Sequence, residues 1–272
     1  MDLARSIASR HSNVTAGHRA LGIGYGDNEV TMDSDDVQVG RLLGRREMLE
    51  ILSASSAGAI LMFGRPASAQ QAAIPACVVR PAQTEGPYFV EERLLRSDIR
   101  LDPMTNRVKP GAILELSLAV SRLGSSGCTP LSGAQVDLWQ CDALGVYSDV
   151  TDRSFNSVGQ KFLRGHQMTD AAGLARFTTI YPGWYPGRAV HIHFKIRTEP
   201  AAARGHEFVS QLYFDDTMTD RVHARDPYAA KGLKRLRNSG DGIYRNGGQQ
   251  LMLNVAETAK GFTAPFAIGL QI

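Results

Sequence analysis

The sequence has 272 residues, of which 43% are apolar and 21% charged, with 27 Gly and 12 Pro. This composition excludes a wholly disordered, collagen-like or coiled-coil chain. Lys and Arg number 30 against 27 Asp and Glu, which gives a net charge of +3 without any block of five like charges. Because such a block is the usual polyanion-binding tail, we expect no nucleic-acid partner.

The N-terminal part of the chain carries the pattern of an export signal. Arg45 and Arg46 precede a run of small and apolar residues over 51–63, and Ala67-Ser68-Ala69 follows. The order of paired arginines, apolar run and A-x-A site resembles a bacterial twin-arginine signal. The run is shorter than the roughly 20 residues that span a bilayer as a helix, so we expect no stable membrane insertion. A buried amphipathic helix is the alternative interpretation of the run.

This pattern divides the chain into two parts. Residues 1–69 form an N-terminal extension with a signal segment, and residues 70–272 form one domain with room for a proper core. Residues 1–40 fit no part of the signal, and Met32 is an alternative start of translation. We expect the mature protein to be periplasmic or secreted, and the sequence leaves homo-oligomerisation open.

Three cysteines allow one disulfide bond at most. Cys77, Cys128 and Cys141 are too few for a disulfide scaffold and lack the spacing of a structural zinc site. Cys128 and Cys141 flank a predicted strand, which holds them beyond disulfide distance. Any pair is therefore expected to include Cys77.

Alternation of apolar and polar residues with period two dominates residues 114–272 and indicates half-buried strands. Leu114, Leu116 and Leu118 are an example. Turn signals rich in Gly and Pro separate the strands. The pattern predicts an all-β fold, an antiparallel β-sandwich with long active-site loops and at most a short helix. The predicted strands cover 114–120, 135–138, 175–181, 190–197, 208–214, 250–255 and 266–272.

One segment, 227–237, has the composition of a short surface helix. Its basic side chains, Lys231, Lys234, Arg235 and Arg237, are expected to be solvated. Asp215 and Asp216, just upstream, are predicted to form a turn at the end of a strand.

The residues that indicate chemistry lie in two loops and one strand. His191 and His193 are two positions apart, so both imidazoles leave the same face of a strand and can share one metal ion. The pair alone is weak evidence, because such histidines on a surface strand are more often simply solvated. Tyr185 stands just upstream in a loop bounded by Pro and Gly, and Tyr147 ends a second loop. Two phenols thus accompany the two imidazoles.

This combination of motifs resembles the intradiol ring-cleavage dioxygenases, the family of protocatechuate 3,4-dioxygenase and catechol 1,2-dioxygenase. The motifs occur in the family's order over 84–214. They are Thr84-Glu85-Gly86-Pro87-Tyr88-Phe89, Gly133-Ala134-Gln135-Val136-Asp137-Leu138-Trp139-Gln140, Gly145-Val146-Tyr147, Phe162-Leu163-Arg164-Gly165 with Thr169-Asp170, the block from Tyr181 to Phe194, and Gln211-Leu212-Tyr213-Phe214.

The resemblance implies a mononuclear non-haem Fe(III) site held by Tyr147, Tyr185, His191 and His193. The residue types agree with that metal, because a phenol with a pKa near 10 loses its proton at neutral pH only to a strongly Lewis-acidic cation. Anionic oxygen donors also favour the harder, higher-valent ion. Each imidazole needs an acceptor on its other nitrogen, which the sequence does not identify.

The implied reaction cleaves an aromatic 1,2-diol with O2 between the two hydroxylated carbons, giving a muconate-type diacid. By resemblance, Tyr185 leaves the iron when the diol binds, and its place in a loop suits that movement. Arg188 is expected to stabilise negative charge that develops on the substrate. Gln211 and Tyr88 match substrate-pocket positions. The particular diol stays open, with catechol, hydroxyquinol, protocatechuate or a lignin-derived catechol all compatible.

Two other classes of protein are alternatives at this point. A prealbumin-like or carboxypeptidase-regulatory-like binding module shares the strand and turn motifs but lacks the set of Tyr147, His191 and His193. A cupin-type Fe(II) oxygenase adds a Glu four or five residues after the second His. Those positions are Arg197 and Thr198 here. Colour separates the three classes, because only a ferric tyrosinate gives the purified protein a burgundy absorption band.

Overall fold

Two β-sheets form the framework of the part of the chain described by a computed structural model, residues 78–200, 205–233 and 235–272. Within these ranges the helices are α1 Asp216–His223 and α2 Gly242–Arg245, with 3-10 turns at Tyr228–Lys231, Asn238–Gly240 and Gly248–Leu251. The strands are β1 Leu101–Asp102, β2 Arg107–Val108, β3 Ile113–Gly124, β4 Gly127–Pro130, β5 Gln135–Trp139, β6 Arg164–Met168, β7 Leu174–Ile180, β8 His191–Arg197, β9 Glu207–Tyr213, β10 Ala256–Thr258 and β11 Gly261–Leu270. The predicted all-β fold is confirmed.

The first sheet has five strands and is built around β3. This long strand pairs with β11 on one side and with β7 and β4 on the other, and β10 lies at the edge beside β11. The second sheet has the order β6-β5-β8-β9 and is antiparallel throughout. Phe194 of β8 meets Phe266 of β11, with ring centroids 5.9 Å apart, so the two sheets pack on each other through their inner faces.

One strand pairing differs from the predicted antiparallel arrangement. Strand β11 runs parallel to β3, with Leu116 opposite Ala264 and Leu118 opposite Phe266. Parallel neighbours need a long connection, which the chain between β3 and β11 supplies. Alternation of residues along a strand does not reveal this non-local pairing.

One local strand prediction is also wrong, and one strand of the second sheet was not predicted. Residues 250–255 begin in the 3-10 turn Gly248–Leu251, and beyond it the chain meets β9 only through a bridge between Met252 and Tyr213. The leucines of this segment are buried by packing on the core, which produces the same alternation as a strand. Strand β6 was missed, because its sequence is polar and lacks clear alternation.

The predicted helix over 227–237 is much shorter than expected. Only Tyr228–Lys231 is helical, as a 3-10 turn that ends at Gly232 with a φ of 78°. The α-helix of this region is α1. The expected strand-end turn at Asp215 is the start of that helix, because its carboxylate accepts a hydrogen bond from the Met218 N–H at 2.8 Å.

One basic side chain of this region is buried, contrary to prediction. The Arg235 guanidinium pairs with Asp216 at 2.5 Å and with Asp220 at 2.9 Å. Arg237 is exposed as predicted, and Lys231 is half-buried. Lys234 lies outside the part of the chain that the structure describes. The missed helix explains the error, because α1 supplies the two carboxylates.

Both faces of the four-stranded sheet are buried, by different partners. Ile192 and Phe194 of β8 point into the core between the sheets. The alternate residues His191 and His193 lie on the outer face, opposite Tyr213 and Gln211 of β9. Loops cover this outer face, where Trp139, Cys141, Tyr147 and Val209 form a second buried cluster.

A segment that we call the strap, residues 83–96, crosses the outer face of this sheet. At one end the Gln83 N–H donates to the Val209 carbonyl of β9 at 2.9 Å. At the other end the Arg96 N–H donates to the His166 carbonyl of β6 at 3.1 Å. The strap is therefore fixed at both edges of the sheet and encloses the space above β5 and β8.

The predicted absence of a Cys128–Cys141 bond is confirmed. Cys128 is disulfide-bonded, whereas Cys141 is a free, buried thiol. Cys77 and the predicted export segment lie outside the described residues. The described part of the chain contains no helix that is long and apolar enough to cross a membrane.

Candidate metal centre

Strand β8 brings its two histidines together on the covered outer face. The Nε2 atoms of His191 and His193 are 2.9 Å apart, and both rings are buried. Trp139, directly opposite His193 in β5, stacks on its ring with centroids 5.0 Å apart. The period of the strand and the neighbouring indole thus fix where the imidazoles point.

The two predicted tyrosines reach the same point from two loops. The Tyr185 hydroxyl lies 3.2 Å from His191 Nε2. The Tyr147 ring lies edge-on to the Tyr185 ring, at 5.6 Å, and to the His193 ring, at 6.2 Å. All four predicted ligands are therefore brought together on one face of the sheet.

The loop that carries Tyr147 is shaped by one carboxylate and pressed against the loop that carries Tyr185. Asp142 Oδ1 accepts hydrogen bonds from the N–H groups of Leu144, at 2.9 Å, and Val146, at 3.0 Å. Between them, Gly145 has a φ of 79°, and a Cβ there would collide with the Trp184 carbonyl. Close contact between the two loops requires glycine at this position.

The outer nitrogens of the two imidazoles have different environments. His191 Nδ1 donates to the Ala189 carbonyl at 2.7 Å, which leaves a lone pair on Nε2, toward the site. This carbonyl is the acceptor that the sequence could not identify. Burial lowers the pKa of both histidines well below its usual value, and Arg188 acts in the same direction. Both imidazoles are consequently neutral, which is the form that binds metals.

Buried polar atoms remain unsatisfied within the described residues, and this tests whether a cation fits. The Tyr147 hydroxyl is buried without a hydrogen-bond partner, whereas the other unsatisfied atom, His193 Nδ1, is an outer nitrogen and does not face the metal position. Burial and the neighbouring Tyr185 raise the pKa of Tyr147 well above its usual value. A bound cation reverses this effect by favouring the phenolate. The converging donor atoms, two neutral imidazoles and two phenols, therefore suit a Lewis-acidic metal.

Carboxylates take no part in this cluster. In the residues that the structure describes, no group of three or more His, Cys, Asp or Glu is arranged to hold a metal ion. Glu199, the nearest acidic residue after the His pair in sequence, is exposed. The cupin alternative, which needs a carboxylate beside the His pair, is therefore disfavoured.

Arg188 and Gln211 lie beside the cluster and contact each other. Arg188 is only 7% exposed, so it is not a surface residue. Its Nε donates to Asp241 Oδ2 at 3.0 Å, and its Nη2 donates to Gln211 Oε1. Gln211 is fully buried, and its Nε2 donates to the Thr84 carbonyl at 3.1 Å. The guanidinium is therefore held in one orientation next to the histidines.

Tyr88 covers the site from the strap. Its ring stacks on the Tyr147 ring, with centroids 4.4 Å apart, and its hydroxyl donates to Asp152 Oδ2 at 2.8 Å. Phe155 is a further ring neighbour, at 6.5 Å. The predicted pocket residue thus forms part of the wall that shields Tyr147.

The sequence analysis assigned no role to Arg164 or Asp241. Arg164 is 2% exposed, and its guanidinium donates to Ser148 Oγ at 2.8 Å and to the Tyr88 carbonyl at 3.3 Å. It joins the Tyr147 loop to the strap. Arg164 belongs to the motif Phe162-Leu163-Arg164-Gly165. Its contacts depend on the pairing of β6 with β5, which the sequence pattern does not predict.

Comparisons with known proteins identify relatives of this chain. The family model described as "Dioxygenase" matches residues 84–243, more than half of the chain. The beta chain of protocatechuate 3,4-dioxygenase from Burkholderia cepacia is 35% identical over 135 residues, which are 46% of this chain and 55% of that protein. Catechol 1,2-dioxygenase from Candida albicans is 31% identical over 117 residues, 35% of this chain and 36% of that protein.

A solved structure resembles the fold over a larger share of its length. The intradiol ring-cleavage dioxygenase from Tetranychus urticae has 28% sequence identity and a TM-score of 0.63, covering 72% of this chain and 95% of that one. The chain belongs to the intradiol ring-cleavage dioxygenase family, as the resemblance predicted. It spans about half of the first curated relative and about a third of the second.

Proposed function

We propose that this protein is a non-haem Fe(III) dioxygenase that cleaves an aromatic 1,2-diol between its two hydroxylated carbons, using O2 and giving a muconate-type diacid. One observation carries the proposal. His191, His193, Tyr147 and Tyr185 converge on a covered sheet face in a chain of the intradiol family. When bound there, the metal would act as a Lewis acid toward the diol.

The donor set supports ferric iron in particular. Tyr147 and Tyr185 would contribute two anionic oxygens, which favour the harder, higher-valent ion. His191 and His193 would contribute neutral nitrogen donors, since burial disfavours their charged forms. A binding module without catalysis gives no reason for two imidazoles and an unsatisfied phenol in one buried cluster.

The two tyrosines are suited to different roles. Tyr147 is 1% exposed and covered by Tyr88, so it would remain a fixed ligand. Tyr185 is half-buried and precedes the exposed residues Pro186 and Gly187. In our proposal Tyr185 would move aside when the diol binds, and its phenolate oxygen would accept a proton from a substrate hydroxyl, because the pKa of a free phenol is about 10.

Arg188 would act on the substrate by electrostatics. The Asp241 and Gln211 contacts hold its guanidinium in place before the reaction, so little reorganisation accompanies the development of charge. Tyr88 and the strap would exclude water from the same space, which strengthens that interaction.

A panel of catechols tests the reaction class and narrows the substrate. Oxygen uptake should accompany formation of a muconate-type diacid, opened between the hydroxylated carbons. A yellow semialdehyde would mean extradiol cleavage and would refute the mechanism. The best substrate in the panel would distinguish catechol, hydroxyquinol, protocatechuate and lignin-derived diols.

We also propose that the protein is exported with its N-terminal segment as a twin-arginine signal. Arg45 and Arg46, the apolar run after them and the A-x-A site support this. Replacing both arginines with Lys should retain an unprocessed, active precursor in the cytoplasm, whereas the wild type should begin near Gln70 outside the inner membrane. A cytoplasmic wild type that begins upstream of Gln70 would contradict export and leave the site assignment intact.

A further inference from the structure

A buried carboxylate connects the C-terminal part of the chain to the candidate site. Asp241 is 1% exposed and begins helix α2. Its Oδ1 accepts hydrogen bonds from the N–H groups of Ile243, at 2.8 Å, and Tyr244, at 3.0 Å. Its Oδ2 accepts from Arg188 Nε at 3.0 Å and from the Ala189 N–H at 2.7 Å. Four donors therefore satisfy this carboxylate, and two of them lie just before β8.

Ala189 extends this constraint to a proposed metal ligand. Its N–H is held by Asp241, and its carbonyl accepts the hydrogen bond from His191 Nδ1 at 2.7 Å. A hydrogen bond on the outer nitrogen of a ligating imidazole fixes the orientation and tautomer of the ring. The position of the Ala189 backbone therefore decides where His191 Nε2 points.

Asp241 also determines how Arg188 is held. The guanidinium lies between Asp241 and Gln211, and Gln211 is itself held by the Thr84 carbonyl of the strap. A buried guanidinium that loses its carboxylate is strongly destabilised, because its charge is no longer compensated. Without Asp241, Arg188 would have to reorient or admit water.

We propose that Asp241 is a positioning residue that sets two groups at once, the Arg188 guanidinium and, through Ala189, the His191 imidazole. The inference rests on the proposed function only for what Arg188 and His191 do in ring cleavage. The coupling between the two groups is a property of the chain itself. Changing the carboxylate should therefore displace both groups together.

The Asp241→Asn substitution tests this coupling with little change in volume. An amide has one acceptor oxygen, so its NH2 group must face donors either at the start of α2 or at Arg188 and Ala189. Asp215→Asn is the matched control. Asp215 also begins a helix, by accepting from the Met218 N–H at 2.8 Å, but it is exposed and makes no contact with the site residues.

The first measurement uses the metal-free full-length chain. Imidazole proton and nitrogen NMR should show an exchange-protected Nδ1–H signal, assigned to His191 by its loss in His191→Gln. We expect this signal in the wild type and in Asp215→Asn, and its loss or a clear shift in Asp241→Asn. An unchanged signal, with a fall in thermal midpoint no larger than in Asp215→Asn, would reduce Asp241 to a helix cap and overturn the proposal.

The second measurement uses the iron-loaded enzyme and a double-mutant cycle. Asp241→Asn should lower kcat by about 10-fold or more, the scale typical of outer partners of metal ligands, and shift the visible band. In an Arg188→Ala background the same substitution should lower kcat by a clearly smaller factor. Equal factors in both backgrounds, with an unshifted band, would contradict the coupling. If the wild type cleaves no diol, the NMR result still decides the inference.

Discussion

The two faces of the four-stranded sheet are both buried, yet they differ in what buries them. On the inner face, Ile192 and Phe194 pack against the other sheet as part of the main hydrophobic core. On the outer face, His191 and His193 lie under loops that supply phenols, a guanidinium and a backbone carbonyl. Buried polar groups need such partners. The elements that cover a sheet face therefore determine whether its side chains belong to the hydrophobic core or to the candidate site.

His193 and Phe194 are neighbours in β8 but lie on opposite faces of the sheet, so their substitution should have the largest and most different effects. His193→Ala should abolish diol cleavage and weaken iron binding by at least about 100-fold, the upper end of the effect of changing an outer partner. Phe194→Ala should lower the free energy of unfolding by about 3–5 kcal/mol and leave iron binding intact in the folded fraction. Denaturant unfolding and iron analysis would measure both. Two variants with the same pattern of losses would show that the faces are not separable.

Arg188 tests whether the outer face provides electrostatic catalysis in addition to ligands. Arg188→Ala should retain the visible band while kcat falls by about 10²-fold, the scale for loss of one fixed donor. Arg188→Lys keeps the charge without the fork of donors and should recover part of the rate. Steady-state kinetics on the folded, iron-loaded fraction would measure this. Wild-type kcat in Arg188→Ala would refute the proposed role.

The stability contributed by Asp137, at the other end of the outer face, should depend on pH. Burial raises the pKa of Asp137 to about 6, although Arg197 and Lys195 oppose this and Glu91 adds to it. The native carboxyl then keeps its proton at a pH where the unfolded one has lost it. Its contribution to stability is full below about pH 4 and declines as pH rises to about 6. Asp137→Asn should remove this decline, about 2 kcal/mol at most, in unfolding curves between pH 4 and pH 7.

If the free energy of unfolding had the same pH dependence in the wild type and in Asp137→Asn, the Asp137 charge would be fully compensated. Arg197, which lies 3.3 Å from the carboxylate, would be the compensating group.

The strap contributes a smaller effect. Tyr88→Phe removes the hydrogen bond to Asp152 and should lower the free energy of unfolding by about 1 kcal/mol. We expect KM for the diol to rise more than kcat falls, because the ring that covers Tyr147 becomes less fixed. Tyr244→Phe is the control. The Tyr244 hydroxyl donates a hydrogen bond of 2.7 Å to Gln249 Oε1, and this bond lies outside the site. Equal kinetic effects in the two variants would remove Tyr88 from the site wall.

Much of this account was visible in the sequence because it depends on local patterns. The period-two alternation located β3 and β8, and the same period placed His191 and His193 on one face. The resemblance to the intradiol dioxygenases then indicated Tyr147 and Tyr185 as further ligands. The strands and the placement of the two histidines could be predicted because each depends on residues that are close together in the chain.

What the sequence did not reveal depends on contacts between distant residues. The parallel pairing of β3 with β11 joins the two ends of the described domain. Asp241 is 53 residues from Arg188, and no local pattern links them. Arg235 was assigned to the surface because its carboxylate partners belong to a helix that was not predicted. Local sequence patterns therefore predict the strands, whereas the side-chain contacts between distant residues that complete the site require the structure.

Addition of Fe(III) to the purified metal-free protein tests whether the two tyrosines and two histidines form an iron site. The wild type should take up about one iron per chain, the content of a mononuclear site, and develop a visible charge-transfer band. Tyr147→Phe should lose or strongly shift that band, whereas Tyr181→Phe, a buried tyrosine of the inner core, should match the wild type. A wild type that binds iron and stays colourless, or a Tyr147→Phe variant with an unchanged band, would contradict the assignment of the site.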